Sequence, residues 1–250
     1  MPNKLHTMTV LFAVTALFSL PALAEVRVHG GVDDVGYQTS FSGQPGGSLS
    51  YNGKKSKSTY MGANLGVSLI TSGGGYFDIS TSGGTGNHDL WASSGSASLP
   101  LRRNDVTFTF GNSSINPYGR IISYYFGINS GTTEFGLPSG ASDEFDTSGY
   151  FFGAGLAYPT TFGTVGVNAA LVATDATWKN SSTGTTLKDP GNIVYNFGAT
   201  AGYQFTHTAG MNVDYKLKIN SYKFPVGYSG STFSVKEQIS SIGLKFYVKF

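Results

Sequence analysis

The chain has 250 residues, of which only 12% are charged, and its formal net charge is +2. Soluble domains usually hold about 25% charged residues, so charge is scarce here, whereas glycine (35 residues) and aromatic residues (14%) are abundant. The lack of cysteine excludes a disulfide framework and thiolate metal sites, and the small net charge argues against a nucleic-acid partner.

The first 24 residues have the pattern of a secretory signal peptide. Lys4 precedes an apolar run at 10–20, and small residues ending in Ala24 follow it. We expect cleavage after Ala24, so that 1–24 is the signal and 25–250 is one mature domain. A retained anchor helix is the less favoured alternative, because the run is shorter than the roughly 20 apolar residues that span a membrane.

Beyond residue 24, runs with a period of two alternate with stretches rich in Gly, Ser, Asn, Asp and Pro. Successive side chains of a strand point to opposite faces, so each run predicts a strand. In the first run, Val28 and Val32 share one face, and Arg27 and His29 lie on the other. We expect a bulge at 33–34 that breaks this phase. The apolar face then resumes at Val35, Tyr37, Thr39 and Phe41.

The pattern up to residue 137 varies in clarity. A polar loop is expected at 43–58 and a tight turn at 72–75. The predicted strands are 61–69, a run through Phe77 and Ile79, a weak one near 91–99, then 106–110, 122–128 and a short one at 133–137. Asn129-Ser130-Gly131 is interpreted as the turn between the last two.

The second half alternates more regularly. Its predicted strands are 150–158, 165–173, 193–205, 211–219 and 242–250. Short turns are expected at 159–163 and 207–210, and longer loops at 175–192 and 225–230.

The last strand has the sharpest alternation. Its apolar stripe is Ile242, Leu244, Phe246, Val248 and Phe250. Such an edge invites aggregation in a soluble protein, so a wall that meets lipid outside and a wet interior inside fits better. This stretch resembles the closing strand of bacterial outer-membrane β-barrel proteins, which are porin-like in architecture, although no motif of a narrower family is matched.

The resemblance implies an all-β fold: a transmembrane, antiparallel, up-and-down barrel with both termini in the periplasm and an even number of strands. Short turns are then periplasmic and long loops external. The predicted runs favour twelve strands, with ten as the alternative if the weak middle runs merge. The expected location is the outer membrane of a Gram-negative cell. A soluble β-sandwich is the competing interpretation.

The resemblance also implies partners. We expect contact with outer-membrane lipid and lipopolysaccharide, and recognition of the closing strand, ending at Phe250, by the barrel-assembly machinery. The chain is expected to be a monomer.

The predicted inward face is small and neutral except near the closing strand. The cations expected there are Arg27, His29, Lys216, Lys218, Lys245 and Lys249, with Asp214 as the nearby acid. A cationic sector in a narrow tube concentrates anions, which suggests a channel for small polar or mildly anionic solutes. Alternatively, these lysines form structural ion pairs or hydrate the lumen. The competing function is a structural or surface-interaction barrel with a plugged lumen.

We expect neither a catalytic role nor a cofactor. His88 precedes Asp89 in a predicted external loop with Ser93 and Ser94 nearby, but no Gly-x-Ser-x-Gly motif is present. The spacing of this pair does not match omptin-like proteases either. An outer-membrane enzyme built on His88 is therefore the third and weakest hypothesis.

Two charged loops suggest contacts of their own. Asp143, Glu144 and Asp146 form a weak candidate for a Ca²⁺ site, with a hydrated loop as the favoured interpretation. A basic loop is placed to contact lipopolysaccharide phosphates through Lys54, Lys55 and Lys57.

Overall fold

The computed structural model describes residues 23–46, 50–90, 98–226 and 231–250. The strands in these ranges are β1 (Leu23–Ser42), β2 (Lys55–Thr71), β3 (Gly75–His88), β4 (Leu99–Ile115), β5 (Ile121–Gly136), β6 (Ser142–Thr160), β7 (Gly163–Lys179), β8 (Thr186–Gln204), β9 (Ala209–Val226) and β10 (Ser231–Lys249). Residues 1–22 of the predicted signal peptide lie outside the described residues. β1 begins two residues before Glu25, the expected first residue of the mature chain. No helix within the described ranges is both long and apolar enough to cross a membrane.

The strands form one closed antiparallel barrel. Each strand pairs with its neighbours in the sequence, and β1 also pairs with β10. That closing ladder runs from Arg27 opposite Lys249 to Ser42 opposite Ser234. In a closed barrel every strand satisfies its backbone polar groups with its two neighbours. The strand order confirms the expected up-and-down architecture.

The described part of the chain holds ten strands, so the favoured expectation of twelve is wrong and the alternative of ten is confirmed. The difference arises mainly in β5, which continues through 129–131 where a turn was expected. Asn129 pairs with Thr107 on β4 and with Gly149 on β6. Gly131 is needed at its position, because a Cβ there would lie 2.6 Å from Oδ1 of Asp105. A separate weak strand was also expected near 91–99. Leu99, at the end of this run, is the first residue of β4, and 91–97 lie outside the described residues.

The two ends of the barrel differ. At one end, which we call the turn end, the connections are 72–74, 116–120, 161–162 and 205–208. At the other, the loop end, they are 43–54, 89–98, 137–141, 180–185 and 227–230. The chain closes at the turn end, where Val26 and Phe250 exchange two backbone hydrogen bonds of 3.1 and 2.8 Å. The loop expected at 175–192 is wrong in extent, because β7 and β8 occupy most of it, with a register shift between Thr174 and Ala176.

An apolar belt surrounds the half of the barrel nearest the turn end. Every strand contributes exposed, outward-facing hydrophobic side chains, among them Val28, Met61, Ile79, Val106, Phe126, Phe152, Val167, Ile193, Val213 and Phe246. On β7 the belt runs from Val165 to Ala173, which matches the roughly 9–11 residues of a tilted membrane-spanning strand. Exposed aromatic residues collect at its turn-end margin: Tyr118, Tyr158, Phe162, Tyr203, Phe205 and Phe250.

Above the belt, toward the loop end, the two faces of the wall exchange character. On β1, Gln38 points outward, whereas Tyr37 and Phe41 point inward and are 1% and 3% exposed. The pairing of β1 with β2 and β10 passes through 33–34 without a shift, so the expected bulge is wrong. Inward and outward positions alternate without a break, but the apolar residues occupy the outward positions below 33–34 and the inward positions above it. A wall in water needs this arrangement, with polar groups outside and apolar groups inside.

Candidate functional site in the barrel interior

The loop-end part of the lumen is filled by aromatic side chains. This aromatic plug consists of Phe41, Tyr51, Phe135, Phe145, Trp178, Phe224 and Phe233, all less than 4% exposed. Trp178 lies at its centre, with its ring centroid 5.2 Å from those of Tyr51 and Phe233. The rings of Phe41 and Phe135 are each 5.7 Å from it. Aromatic packing at these distances is favourable, and the seven buried side chains pack together in this layer of the lumen.

Tyr51 belongs to the loop 43–54 and reaches into the plug from above. Its hydroxyl donates a hydrogen bond of 2.6 Å to Oδ2 of Asp143. The same carboxylate accepts bonds from the backbone N–H and the hydroxyl of Ser181, at 2.9 and 3.0 Å. Burial, and then the hydrogen bond to Asp143, raise the pKa of Tyr51 well above its usual range, so its hydroxyl stays a donor. The loop is thus fastened over the barrel mouth.

A polar layer crosses the lumen directly beneath the plug. Nη1 of Arg103 on β4 donates to Oε1 of Glu237 on β10 at 2.7 Å, and its Nε donates to Asp105 at 2.8 Å. Lys218 on β9 approaches the same Asp105 at 3.6 Å. Because β9 and β10 lie four to five strands away from β4 around the ring, these ion pairs bridge the lumen from wall to wall.

Below the polar layer, at the level of the apolar belt, lies a chamber of about 490 Å³. That volume falls in the range of roughly 300–1,000 Å³ typical of small-molecule sites. Asparagine, tyrosine and small hydroxyl residues make up much of its lining, together with the charged residues Asp33, Asp105, Asp214, Lys216, Lys218 and Lys245. The chamber therefore offers hydrogen-bonding groups and both signs of charge.

Most of the cations predicted to face the lumen are paired with acids. Lys245 lies 2.8 Å from Asp214, and Nε2 of His29 lies 2.9 Å from Asp78. Lys218 meets Asp105 in the polar layer. These three contacts are those expected if the charges form structural ion pairs.

Lys216 differs from its neighbours. It lines the chamber, and no carboxylate lies within 4.0 Å of it among the described residues. The residue opposite it on β8 is Gly198, and the amide of Asn168 occupies the space beside that glycine. Lys216 is therefore the cation most available to a solute.

Two of the predicted cations lie outside the chamber. Arg27 and Lys249 pair across the seam of β1 and β10, and both approach Glu25, at 2.6 and 3.5 Å. Both also lie over the ring of Tyr247, at 4.8 and 5.7 Å from its centroid. They form a cluster at the turn-end rim of the seam.

The candidate catalytic histidine, His88, is buried at the edge of the plug. Nε2 of His88 lies 3.0 Å from the carbonyl oxygen of Gly136, and the ring packs edge-on against Phe135. Asp89 accepts a hydrogen bond from Ser56. Burial lowers the pKa of His88, in keeping with a neutral ring at the edge of the plug. Ser93 and Ser94 lie outside the described residues.

The three acids proposed as a weak calcium site do not converge. Asp143 points inward and is bound to Tyr51, whereas Glu144 and Asp146 point outward onto Lys179. Opposite faces of one strand cannot supply ligands to one ion. Within the described ranges, no group of three or more such side chains is arranged to hold a metal.

Comparison with known proteins adds the fold and little else. No family model and no curated protein matches the sequence. Among solved structures, the outer-membrane protease OmpT of Escherichia coli aligns with a TM-score of 0.56 at 10% identity, covering 93% of this chain and 99% of that one. The translocator domain of NalP from Neisseria meningitidis (TM-score 0.48, 12% identity, 98% and 95% covered) and the toluene transporter TodX of Pseudomonas putida (0.41, 12%, 94% and 93%) are more distant. The chain has the fold of bacterial outer-membrane β-barrels.

Sequence reasoning missed the plug. Phe41 was assigned to the outward face, and Trp178 lies within the stretch predicted as a loop. A signal was available, because the alternate residues on β1 above position 34 are Gly36, Gln38 and Ser40, which are too polar for a lipid-facing stripe.

Proposed function

We propose that this protein is an outer-membrane β-barrel whose lumen is closed to free diffusion and which acts through its outer wall and its loop-end surface. The observation that carries the proposal is the fully buried aromatic plug above the cross-lumen ion pairs of the polar layer. The plugged barrel is thus favoured over the open, porin-like channel.

The membrane placement is supported by the belt. Its exposed hydrophobic side chains occur on all ten described strands, and they would be an aggregation hazard in water. The aromatic margin at the turn end matches the girdles that flank the apolar band of such barrels. Short connections and the chain closure share that end, so we place the turn end in the periplasm and the loop end outside the cell.

The wall continues well beyond the belt. On β9 the last exposed apolar residue of the belt is Ile219, yet the strand runs on to Val226. At about 3.3 Å per residue, these seven residues add about 20 Å of strand. A single chain closes this projection and its filled interior makes it stiff, which suits a surface that other molecules contact and a monomeric barrel.

The test is conductance of the refolded protein in planar bilayers. We expect insertion without steady ion conductance, because the plug and the polar layer both block the path. A matched pair of variants adds a control: Trp178→Gly opens space in the plug, whereas Phe152→Gly removes an outward ring of the belt. Steady, ohmic conductance of the unaltered protein would overturn the proposal.

A second candidate function is a gated channel for small polar or mildly anionic solutes. The chamber favours it, since Lys216 lines it and has no carboxylate within 4.0 Å among the described residues. In this case the path opens when Tyr51 and its neighbours are released and the ion pairs of the polar layer separate. Trp178→Gly, which loosens the plug, should then show at least transient conductance with anion preference. Adding Lys216→Gln should then lower the anion-to-cation permeability ratio; an unchanged ratio removes the chamber from the pathway.

We propose no catalytic role. The fold is shared with a protease, but His88 and Asp143, the groups weighed for chemistry, are packed against the plug and bound to other partners. Incubating the refolded barrel with peptides and with lipid A tests this, and turnover that is lost in His88→Ala would contradict it.

A further inference from the structure

Two side chains that point into the chamber are exposed and not packed. Asn168 on β7 and Lys216 on β9 both line the chamber at the level of the apolar belt, and both are exposed. A side chain on the inner face of a barrel is exposed only where the lumen beside it is open. The amide of Asn168 and the ammonium group of Lys216 therefore meet whatever enters the chamber.

The strand register brings these two side chains together over a glycine. Gly198 on β8 pairs with Asn168 on one side and with Lys216 on the other. The amide of Asn168 lies over Gly198, since a Cβ there would come within 2.7 Å of Oδ1 and 2.8 Å of Nδ2. One further strand spacing of about 4.8 Å separates Gly198 from the backbone of Lys216. A single small group of a ligand can therefore contact both side chains.

The amide of Asn168 is oriented as a donor. Its Oδ1 accepts a hydrogen bond of 3.4 Å from the hydroxyl of Tyr125, which comes from β5, on the side away from Lys216. That contact uses the carbonyl oxygen and leaves the amide N–H groups for a ligand. An amide donor beside an ammonium group suits an oxyanion, because both groups donate to the oxygens of a carboxylate or a phosphate.

The acids nearest to Lys216 along the wall are engaged elsewhere. Asp214, two residues away on the same face of β9, lies 2.8 Å from Lys245. Asp33 is 7% exposed, and its Oδ2 accepts a hydrogen bond of 2.7 Å from the amide of Asn64. Since Lys216 is exposed and these carboxylates are covered, the charge that a ligand meets at this place in the chamber is positive.

The surrounding lining suits a ligand that carries hydroxyl groups. Amides, hydroxyls and phenol rings face the chamber, contributed by Asn196, Ser241, Thr109, Ser123, Tyr76 and Tyr125. Amide and hydroxyl side chains both donate and accept hydrogen bonds, so they match ligand hydroxyls, which do the same. The lining therefore favours a polyol body attached to the oxyanion.

The chamber extends to the turn end on one side. Its lining includes Ser123, Ala157 and Gly166, which lie two or three residues from the turn-end limits of β5, β6 and β7. These residues are small, whereas the aromatic plug and the ion pairs of the polar layer fill the loop-end side. The turn end is therefore the side from which a solute reaches the chamber.

We propose that the chamber binds a small hydroxylated oxyanion, such as a sugar acid or a sugar phosphate, with Lys216 and Asn168 holding the charged group. The inference rests on the proposed function, which closes the loop end and places the turn end in the periplasm. The chamber is then a binding pocket open to the periplasm and not a segment of a pore.

Isothermal titration calorimetry of the folded barrel in detergent micelles tests the assignment. The probes are glucuronate and glucose 6-phosphate, with glucose as the probe that lacks the anion and benzoate as the probe that lacks the hydroxyls. We expect a sugar anion to bind about tenfold or more tightly than glucose or benzoate, the gain of a charge-assisted hydrogen bond. The tighter of the two sugar anions distinguishes a carboxylate site from a phosphate site.

Variants of the two binding residues locate the site. Lys216→Gln should weaken binding of the sugar anion about tenfold or more, and Asn168→Ala about threefold to tenfold, as expected for a charged and a neutral donor. The matched control is Lys223→Gln, which removes the same charge from an exposed position on the outward face of β9. Thermal unfolding curves check that these variants fold, as expected for exposed side chains.

Three results would overturn the proposal. Equal weakening by Lys216→Gln and Lys223→Gln would show an effect of net charge only. Glucose or benzoate binding as tightly as the sugar anions would remove the oxyanion or the polyol body from the recognition. Absence of binding by both sugar anions would remove the site.

Labelling of single cysteines tests the entrance. The chain has no cysteine, so Ser123→Cys and Ser42→Cys can each be labelled with a bulky maleimide after folding. The label at position 123 should abolish binding, and the label at position 42, on the outward face near the loop end, should leave it unchanged. Binding that survives the label at 123 would overturn entry from the turn end.

Conductance is a separate readout. A silent barrel that binds neither sugar anion fails this inference alone, whereas a barrel with steady conductance fails the proposed function.

Discussion

At the scale of single residues, the least replaceable group in the interior is the carboxylate of Glu237, which is 1% exposed. It accepts hydrogen bonds from Arg103 at 2.7 Å, from the hydroxyl of Tyr37 at 2.8 Å and from Asn220 at 2.7 Å. A buried charge is tolerated only when it is paired and hydrogen-bonded. Loss of this acceptor would remove a hydrogen bond from the hydroxyl of Tyr37 and from the amide of Asn220, and would leave Arg103 paired with Asp105 alone.

We expect Glu237→Leu to lower the free energy of unfolding by about 3–5 kcal/mol, because three buried donors lose their acceptor and each such loss costs about 1–3 kcal/mol. Urea titration of the micelle-embedded barrel, followed by tryptophan fluorescence, measures the change. The control is Glu134→Leu on the outward face, which should stay within about 0.5 kcal/mol. Similar losses in the two variants would show that Glu237 has no special structural weight.

Contacts of this kind are not readable from sequence spacing. Glu237 and Arg103 are 134 residues apart, and only the closed ring places β4 opposite β10. By contrast, Lys245 and Asp214 lie on neighbouring strands, so the alternation alone predicted that both face inward, and the structure pairs them at 2.8 Å. The sequence pattern could predict contacts between neighbouring strands, but it could not predict pairs that form across the lumen.

At the scale of the strand, β1 shows how one alternation serves two environments. Val28 and Val32 point outward into the belt, and Phe41 points inward into the plug. The sequence pattern predicts a strand over both parts. The pattern does not predict which face carries the apolar side chains, since this depends on whether the outer wall meets lipid or water at that height.

Single substitutions on adjacent residues test this reversal. Phe41→Ala should lower the free energy of unfolding by about 3–5 kcal/mol, because a buried ring is replaced by a cavity. Ser40→Ala, one residue away on the outward face, should change it by about 0.5 kcal/mol or less. Denaturant midpoints of the two variants measure the contrast, and a small effect of Phe41→Ala would mean that this ring points outward after all.

The number of middle strands was over-predicted for a related reason. Gly131 in β5 has a turn-like sequence signature, yet it stays in the ladder and leaves room for the side chain of Asp105. Glycine inside a barrel strand often marks close approach of a neighbouring group. A pattern of turn residues therefore splits one strand into two when no neighbouring strand is known.

At the scale of the whole molecule, the last residue joins the two ends of the chain. Phe250 bonds to Val26 through its backbone, and its side chain is 77% exposed. The side chain thus contributes little to packing within the barrel. Recognition of the closing strand by the assembly machinery stays a prediction, which a substitution of this exposed ring can test.

We expect Phe250→Ala to leave the stability of the refolded barrel unchanged and to reduce the amount of barrel assembled in the outer membrane of cells. Heat-induced unfolding in micelles and membrane fractionation measure the two quantities separately. Phe246→Ala, another outward ring of β10, serves as the control and should assemble normally. Equal assembly of both variants would remove the terminal ring from the recognition signal.

Because the two faces of the wall exchange character along its height, the two parts of the barrel should differ in their heat-capacity change on unfolding. Within lipid, moving an apolar side chain from the wall to its surroundings changes its hydration little, so that region gains little heat capacity on unfolding. In the proposed membrane placement the aromatic plug lies in the part of the barrel that water surrounds, and exposing apolar surface to water raises the heat capacity. Calorimetry should therefore register the plug above all, and the temperature dependence of this barrel's stability should be that of a small water-soluble domain carried on a membrane wall.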